Sequence, residues 1–265
     1  MFQIKQVAID LANSCSKNCY FCYNKSHSDG YTLWKPKEVV SFALDCFKNG
    51  VEAFSLGGGE PLEYEGIFEI IDNVKDYLYT TVTSNGLRLE DKEFFEEFIH
   101  HLPDKIHISI HFPEDKIEVD RVISMVKKLE NYPLKSGVNL LVSTKNVSES
   151  KNVLRLLEKN GIGRERIIVL PMKYQFSPSE KEVIEVAGRK PFQSSSCFLG
   201  CKRPLQYCSV TWNKMVSPCS YSPSKIVLDD ITYEGLSELY QKWILRVAKH
   251  KKGTCPKSHD NRRQR

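Results

Sequence analysis

Apolar and polar positions change regularly between two periods along the first two thirds of the chain. Short apolar or alternating runs, typical of β-strands, occupy residues 6–11, 53–56, 80–84, 106–112, 138–143 and 166–170. Between these runs the apolar residues recur at helical spacing, most clearly at Val119, Val122, Ile123 and Val126. Six strands that alternate with helices predict an α/β protein with a parallel sheet and right-handed crossovers, either open or curled into a partial barrel.

The pattern also predicts where a functional site would lie. In parallel α/β folds the site forms at the C-terminal ends of the strands. The segments that follow those ends are residues 14–22, 57–60, 84–85, 109–111 and 143. We therefore expect them to gather at one edge of the sheet.

After residue 172 the alternation stops. Residues 173–196, which contain several Ser and Pro, are predicted to be a linker. Residues 207–217 predict a hairpin that turns at Asn213 and Lys214, and the apolar spacing from Leu236 to Val247 predicts a final helix. The domain prediction is thus a core over residues 1–172 and a small cysteine-rich module over residues 197–265.

Length and charge exclude several classes of protein. The 265 residues contain neither a signal-peptide pattern at the start nor an apolar run of the roughly 20 residues that span a bilayer, so we expect a cytoplasmic protein. The net charge of +5 comes from a basic tail, since eight Lys or Arg lie within residues 246–265. No stacking aromatic residues accompany that run, which disfavours nucleic-acid binding.

Nine cysteines are unusual for such a chain, because a reducing cytoplasm disfavours structural disulfides. Cys46 lies on an apolar helix face and is expected to pack there. The others form two groups, which are Cys15, Cys19 and Cys22 near the start and Cys197, Cys201, Cys208, Cys219 and Cys255 in the last quarter. This distribution favours metal binding over packing.

The first group has the spacing C-x3-C-x2-C directly after a predicted strand. A structural zinc ion takes four ligands, and His27 is the only candidate nearby for a fourth. Three thiolates suit a [4Fe–4S] cluster that leaves one iron open to a small molecule.

Two motifs together carry a family resemblance. Phe21 provides the aromatic residue of a C-x3-C-x-aromatic-C motif, and Gly58-Gly59-Glu60-Pro61 resembles a GGE[P] motif after the next strand. Residues 4–172 therefore resemble the core of radical S-adenosylmethionine (SAM) enzymes. The resemblance implies a partial (β/α)6 barrel of parallel strands, with a [4Fe–4S] cluster on Cys15, Cys19 and Cys22 that chelates SAM.

The same resemblance implies a set of residues around SAM. The segment Gly58–Glu60 would contact its amino group, and polar residues at later strand ends would lie near its methionine and ribose moieties. Simple satisfaction of backbone groups is the competing interpretation for several of these residues. The later positions are Ser84, Asn85, Ser109, His111, Ser143 and, bordering the adenine, Met172.

The C-terminal cysteines resemble those of SPASM or twitch extensions, in which a hairpin lies between ligands of an auxiliary [4Fe–4S] cluster. Cys208 and Cys219 flank the predicted hairpin, although Lys214 stands where those modules have glycine, so we expect Asn213 to form the turn. One auxiliary cluster, on Cys201, Cys208, Cys219 and Cys255, fits better than two. Cys197 could replace Cys201, and a structural zinc ion is the alternative occupant.

The function that the resemblance implies is reductive cleavage of SAM to a 5′-deoxyadenosyl radical, which abstracts hydrogen from an unactivated C–H bond. We expect net oxidation or crosslinking of a peptide or a small natural-product precursor, with flavodoxin or ferredoxin as electron donor. The alternatives are a glycyl-radical-enzyme activase and a non-catalytic iron–sulfur or zinc protein that binds nucleic acid. The sequence names neither the substrate nor the oligomeric state.

Overall fold

The computed structural model describes residues 3–173, 176–188, 206–218, 220, 222 and 224–249. Its strands are β1 (Gln6–Asp10), β2 (Ala53–Gly57), β3 (Tyr79–Ser84), β4 (Lys105–Ile110), β5 (Lys135–Val142), β6 (Ile167–Pro171), β7 (Tyr207–Val210), β8 (Met215–Ser217) and β9 (Ile226–Val227). Its helices are α1 (Pro36–Lys48), α2 (Ile67–Val74), α3 (Lys92–Phe98), α4 (Lys116–Leu129), α5 (Val147–Lys159), α6 (Glu180–Ala187) and α7 (Tyr233–Lys249).

The first six strands are parallel and lie side by side in chain order, as predicted. Because crossovers between parallel strands are right-handed as a rule, and each strand here is added next to the previous one, the connecting helices pack on the same face of the sheet. This winding is that of a partial (β/α)6 barrel rather than of an open doubly wound sheet.

The helix-facing side of the sheet forms the hydrophobic core. Val7 and Ile9 of β1, Phe54 and Leu56 of β2, and the isoleucines of β4 are almost completely buried there. The opposite side carries polar side chains, among them Ser55, Thr81 and His107. The period of two along each strand therefore separates an apolar exterior, covered by helices, from a polar interior.

The predicted hairpin is present, but it does not form a separate sheet among the described residues. Strand β7 pairs in parallel with β1, and β8 and β9 continue the same sheet in antiparallel fashion. The turn includes Asn213, as expected, and the positive φ that glycine would favour, 59°, falls on Lys214. Asn213 also accepts a hydrogen bond from Thr211 Oγ1 at 2.6 Å, which holds the turn without glycine.

Candidate functional site

The first three cysteines lie on one loop between β1 and α1, and all three are half-buried. The Cys22 N–H donates to the Cys19 carbonyl at 3.0 Å, and the Ser26 N–H points at Cys22 Sγ at 3.4 Å. Burial raises the pKa of Cys19 to about 12, an effect that the nearby Lys17 opposes and the sulfurs of Cys15 and Cys22 reinforce. Cys15 and Cys22 are therefore close enough to Cys19 to affect the charge on its sulfur.

The glycine-rich segment after β2 fastens this loop to the sheet. The Gly59 N–H donates to the Ala12 carbonyl at 2.8 Å, and the Glu60 N–H donates to the Ser14 carbonyl at 2.9 Å. A Cβ atom at Gly59 would lie 1.9 Å from the Ser14 oxygen, so no other residue allows this approach. The two segments with the strongest sequence motifs are thus hydrogen-bonded to each other.

Glu60 joins a third strand end to this pair. Its side chain is 1% exposed and accepts hydrogen bonds from Ser84 Oγ at 2.7 Å, from the Asn85 N–H at 2.6 Å and from the Leu62 N–H at 3.0 Å. Burial raises its pKa to about 7 although these donors favour the charged form. The Asn85 amide in turn points at Cys15 Sγ at 3.7 Å.

The end of β4 contacts the cysteine loop from another direction. The Phe21 ring lies 6.1 Å from the His111 ring and 5.3 Å from the Phe112 ring, measured between centroids. His111 is just beyond the strand, and its buried Nδ1 atom faces Glu118 Oε1 at 3.7 Å, which is longer than a hydrogen bond. Burial lowers the pKa of His111, which favours the neutral ring.

A nearly buried ion pair connects the same two elements. Lys17 Nζ, inside the cysteine loop, lies 2.8 Å from Glu118 Oε2 in the first turn of α4, and the two side chains are 10% and 6% exposed. Glu118 also accepts the His111 N–H at 2.6 Å. Burial would raise the pKa of Glu118, but the bonds from His111 and Lys17 outweigh it and lower the pKa to about 2.

The remaining predicted positions lie at the same edge but differ in their partners. Ser109 lies on β4 beside Asn139 of β5, with no partner for its hydroxyl among the described residues. The Ser143 hydroxyl accepts from the Lys145 N–H at 3.2 Å, which is a local turn contact. Met172 is buried and extends the β5–β6 pairing through its N–H to the Val142 carbonyl. Their contacts with SAM remain predictions.

A family model with the description Radical SAM superfamily matches residues 9–186. The chain belongs to the radical SAM superfamily. The matched region covers the end of β1, the cysteine loop, the glycine-rich segment and strands β2 to β6 of the partial barrel.

Several relatives carry a more specific name. The chain is 27% identical over 208 residues to a probable GTP 3′,8-cyclase of Methanocaldococcus jannaschii, covering 71% of this chain and 68% of that protein. It is 25% identical over 227 residues to a GTP 3′,8-cyclase of Clostridium perfringens, covering 78% and 70%.

Solved structures of radical SAM enzymes share the fold at low sequence identity. Streptococcus suis SuiB bound to S-adenosylmethionine superposes with a TM-score of 0.66 at 16% identity, covering 91% of this chain and 65% of SuiB. The anSMEcpe structure with bound AdoMet has a TM-score of 0.63 at 15% identity, covering 88% and 80%. These likenesses confirm the fold of a radical SAM partial barrel.

The residues of the radical SAM core fit an iron–sulfur cluster in their donor set. Three thiols lie on one loop, and backbone or amide N–H groups point at the sulfurs of Cys15 and Cys22. Hydrogen bonds to sulfur are one means by which proteins tune such clusters. In the described residues, no three His, Cys, Asp or Glu side chains lie close enough together to hold a single metal ion, and this includes the three thiols of the loop.

The second cysteine group is mostly outside the described residues, namely Cys197, Cys201, Cys219 and Cys255. Cys208 is described and lies on the apolar face of β7, fully buried in the hydrophobic core. Burial raises the pKa of its thiol strongly. This placement counts against Cys208 as a cluster ligand, because a cluster there would displace closely packed side chains.

Two functional candidates in the barrel interior were not expected from the sequence. Asp10, at the end of β1, is 4% exposed, and burial raises its pKa to about 7 while Lys225 opposes the shift. His107 on β4 is equally buried. In the sequence, each of these residues is a single polar side chain within an otherwise apolar run. The alternation of residues along a strand assigns both to the interior face.

None of the described helices is long and apolar enough to cross a membrane.

Proposed function

We propose that this radical SAM enzyme holds a [4Fe–4S] cluster on Cys15, Cys19 and Cys22 and binds SAM between that cluster and Gly58–Glu60. The observation that carries the proposal is the set of contacts around Glu60, which joins the cysteine loop, the glycine-rich segment and the end of β3. When bound, the cluster would supply the electron that cleaves SAM to methionine and a 5′-deoxyadenosyl radical. The protein would hold SAM over the polar interior and exclude water there.

We take a guanine nucleotide as the first candidate substrate. The support is the printed name of the sequence relatives, GTP 3′,8-cyclase, at 25–27% identity over most of the chain. The radical would abstract hydrogen from an unactivated C–H bond of that nucleotide, which gives 5′-deoxyadenosine and a carbon radical on the nucleotide.

Oxidation or crosslinking of a peptide or natural-product precursor is the second candidate. It is supported by structural neighbours with bound peptides, namely SuiB with its precursor peptide SuiA and anSMEcpe with the Cp18Cys peptide. These neighbours share the fold with only 15% identity, so they weigh less than the sequence relatives.

An auxiliary cluster remains part of the proposal. Because Cys208 lies in the core, the ligand set that we now favour is Cys197, Cys201, Cys219 and Cys255, with zinc as the alternative occupant. A one-electron donor such as flavodoxin or ferredoxin would reduce the first cluster.

The test is anaerobic reconstitution with iron and sulfide, followed by dithionite and SAM, with 5′-deoxyadenosine and methionine quantified by chromatography. The wild-type protein should form both products. The triple variant Cys15→Ala, Cys19→Ala, Cys22→Ala should form neither, because no other described group can replace three thiolates. The control is Cys46→Ala, which removes a buried thiol from the apolar face of α1. Product formation by the triple variant would refute the proposal.

A further inference from the structure

The side chain of Asn85, just after β3, has its orientation set by the local turn. Its oxygen accepts the Leu87 N–H at 2.8 Å, while its backbone N–H donates to Glu60 Oε2 at 2.6 Å. Because a backbone N–H can only donate, the side-chain atom that meets Leu87 must be the oxygen. The Nδ2 atom is therefore the one that faces Cys15 Sγ, at 3.7 Å, and it presents N–H groups to that sulfur.

The backbone of Asn85 is held by an arginine from a different element. Both terminal nitrogens of Arg121 in α4 donate to the Asn85 carbonyl, each at 3.1 Å. The Arg121 side chain is only 12% exposed. Gly86 has φ of 76°, and a Cβ atom there would lie 2.8 Å from a methyl group of Ile108 and 3.3 Å from Arg121 Nη1, so glycine permits this close packing. Since the guanidinium donors form a rigid fork, the carbonyl is held in one direction.

These contacts form one connection from α4 to the cysteine loop. Arg121 holds the Asn85 peptide, and the Asn85 amide reaches Cys15. Asn85 is 4% exposed, so little water competes with its amide for the sulfur. The exchange of any one of these partners for an apolar group would therefore change the surroundings of Cys15.

The sign of the effect on a cluster follows from charge. Reduction adds one negative charge to a [4Fe–4S] cluster, and an N–H group that donates to a ligand sulfur stabilises the more negative state more strongly. The reduction potential is therefore higher with such a hydrogen bond than without it.

We propose that Asn85 donates a hydrogen bond to the Cys15 thiolate of the bound cluster and raises its reduction potential, and that Arg121 is the positioning residue that holds Asn85 for this contact. The inference rests on the proposed function, which puts the cluster on Cys15, Cys19 and Cys22. The step affected is the transfer of one electron from a flavodoxin or ferredoxin to the oxidised cluster, in which no covalent bond forms or breaks.

The experiment measures the midpoint potential of the reconstituted holoenzyme without SAM, by redox titration monitored by electron paramagnetic resonance. Asn85→Ser keeps an oxygen that can accept the Leu87 N–H but is too short to reach Cys15. The equilibrium constant for reduction should fall at least about tenfold, which is about 59 mV for one electron. Asn85→Ala should show the same fall. If Asn85 only contacted SAM, neither variant would change this potential, because SAM is absent.

A double-mutant cycle tests the role of Arg121. Arg121→Met alone should lower the equilibrium constant at least about threefold, and it should add less than about twofold to the effect of Asn85→Ala, because Arg121 acts through Asn85. Additive effects would mean that its charge acts on the cluster directly, which would overturn the positioning role. The matched control is Arg88→Met, which removes an exposed guanidinium that packs on the Phe94 ring. It should stay within about twofold of the wild type.

Unchanged potentials in both Asn85 variants would overturn the hydrogen bond to Cys15. Loss of the cluster from Asn85→Ser, with circular dichroism like that of the wild type, would also overturn it, since it would give Asn85 a role in assembly instead. If the wild type holds the cluster and cleaves SAM while either result is obtained, only this inference is wrong. Failure of the wild type to hold the cluster or to cleave SAM would reject the proposed function itself.

Discussion

At the scale of single residues, the contrast between two buried carboxyl groups is informative. Glu60 and Asp10 are both almost fully buried, and burial raises the pKa of each to about 7. Glu60 accepts three hydrogen bonds from the protein, whereas Asp10 accepts none from the described residues. The Glu60 carboxylate therefore holds parts of the site together. Burial of the Asp10 carboxylate instead lowers the free energy of unfolding, a loss that a bound ligand would offset.

Asp10→Asn should consequently stabilise the protein at alkaline pH. A carboxyl whose pKa is raised in the folded state favours folding at low pH, and that contribution is lost as the pH rises from about 4 to about 7. The gain in unfolding free energy should reach at most about 4 kcal/mol at pH 8 and shrink towards zero near pH 4. Urea denaturation at both pH values measures it. A gain that is independent of pH would show that the charge of Asp10 carries no cost.

Ser84→Ala should have the opposite effect, because Ser84 has two roles. Its hydroxyl donates to Glu60 at 2.7 Å and accepts the Gly86 N–H at 2.8 Å. Removing it deprives two buried groups of a hydrogen-bond partner, which lowers the free energy of unfolding by about 1–3 kcal/mol for each group left unsatisfied. The exposed Ser148→Ala on α5 is the control and should stay within about 0.5 kcal/mol of the wild type. Equal stability of the two variants in urea would contradict this role of Ser84.

At the scale of elements, the cysteine loop is held by several neighbours rather than by its own structure. Ser16 is hydrogen-bonded to Glu63 after the glycine-rich segment, and Lys17 is paired with Glu118 of α4. Where the loop leads towards α1, Trp34 Nε1 donates to the Thr211 carbonyl in the β7–β8 hairpin at 3.0 Å. The spacing of the cysteines thus depends on three separate parts of the chain.

Glu118→Gln should therefore make the cluster more labile. The substitution leaves the Lys17 ammonium nearly buried without a carboxylate, and breaking such a pair costs about 3–5 kcal/mol. We expect the iron–sulfur absorbance to decay at least about tenfold faster in the presence of a ferrous chelator, as about 1.4 kcal/mol of that loss already corresponds to a factor of ten. Glu114→Gln, on the exposed segment before α4, should decay like the wild type. Matching rates for both variants would mean that the ion pair does not hold the loop.

At the scale of the whole molecule, the features that could be predicted from the sequence are the strands and helices that local periodicity determines. All six barrel strands were predicted close to their observed bounds, and the two motifs indicated which strand ends carry the site. The pairing of β7 with β1 was not predicted, because it joins segments about 200 residues apart and leaves no local pattern. Asp10 and His107 were missed for a related reason, since their significance depends on which partners the neighbouring strands fail to provide.

Iron content per chain tests which of the C-terminal cysteines are ligands of an auxiliary cluster. Changing Cys197, Cys201, Cys219 and Cys255 together to Ala should lower the iron from about eight to about four atoms after reconstitution. Cys208→Ala should leave the iron unchanged and instead lower the unfolding free energy, because it creates a cavity in the core. Loss of about four irons from Cys208→Ala would show that its thiol is a ligand after all.

The position of β1 between β2 and β7 also has a consequence for biosynthesis. Once β2 has emerged from the ribosome, β1 can already pair with it. Its other edge stays unpaired until the segment that contains β7 has emerged, about 150 residues later. Until β7 emerges, the nascent cysteine loop is therefore attached to a strand with one open edge, and we expect cluster assembly to be favoured after β7 has been added to the sheet rather than before.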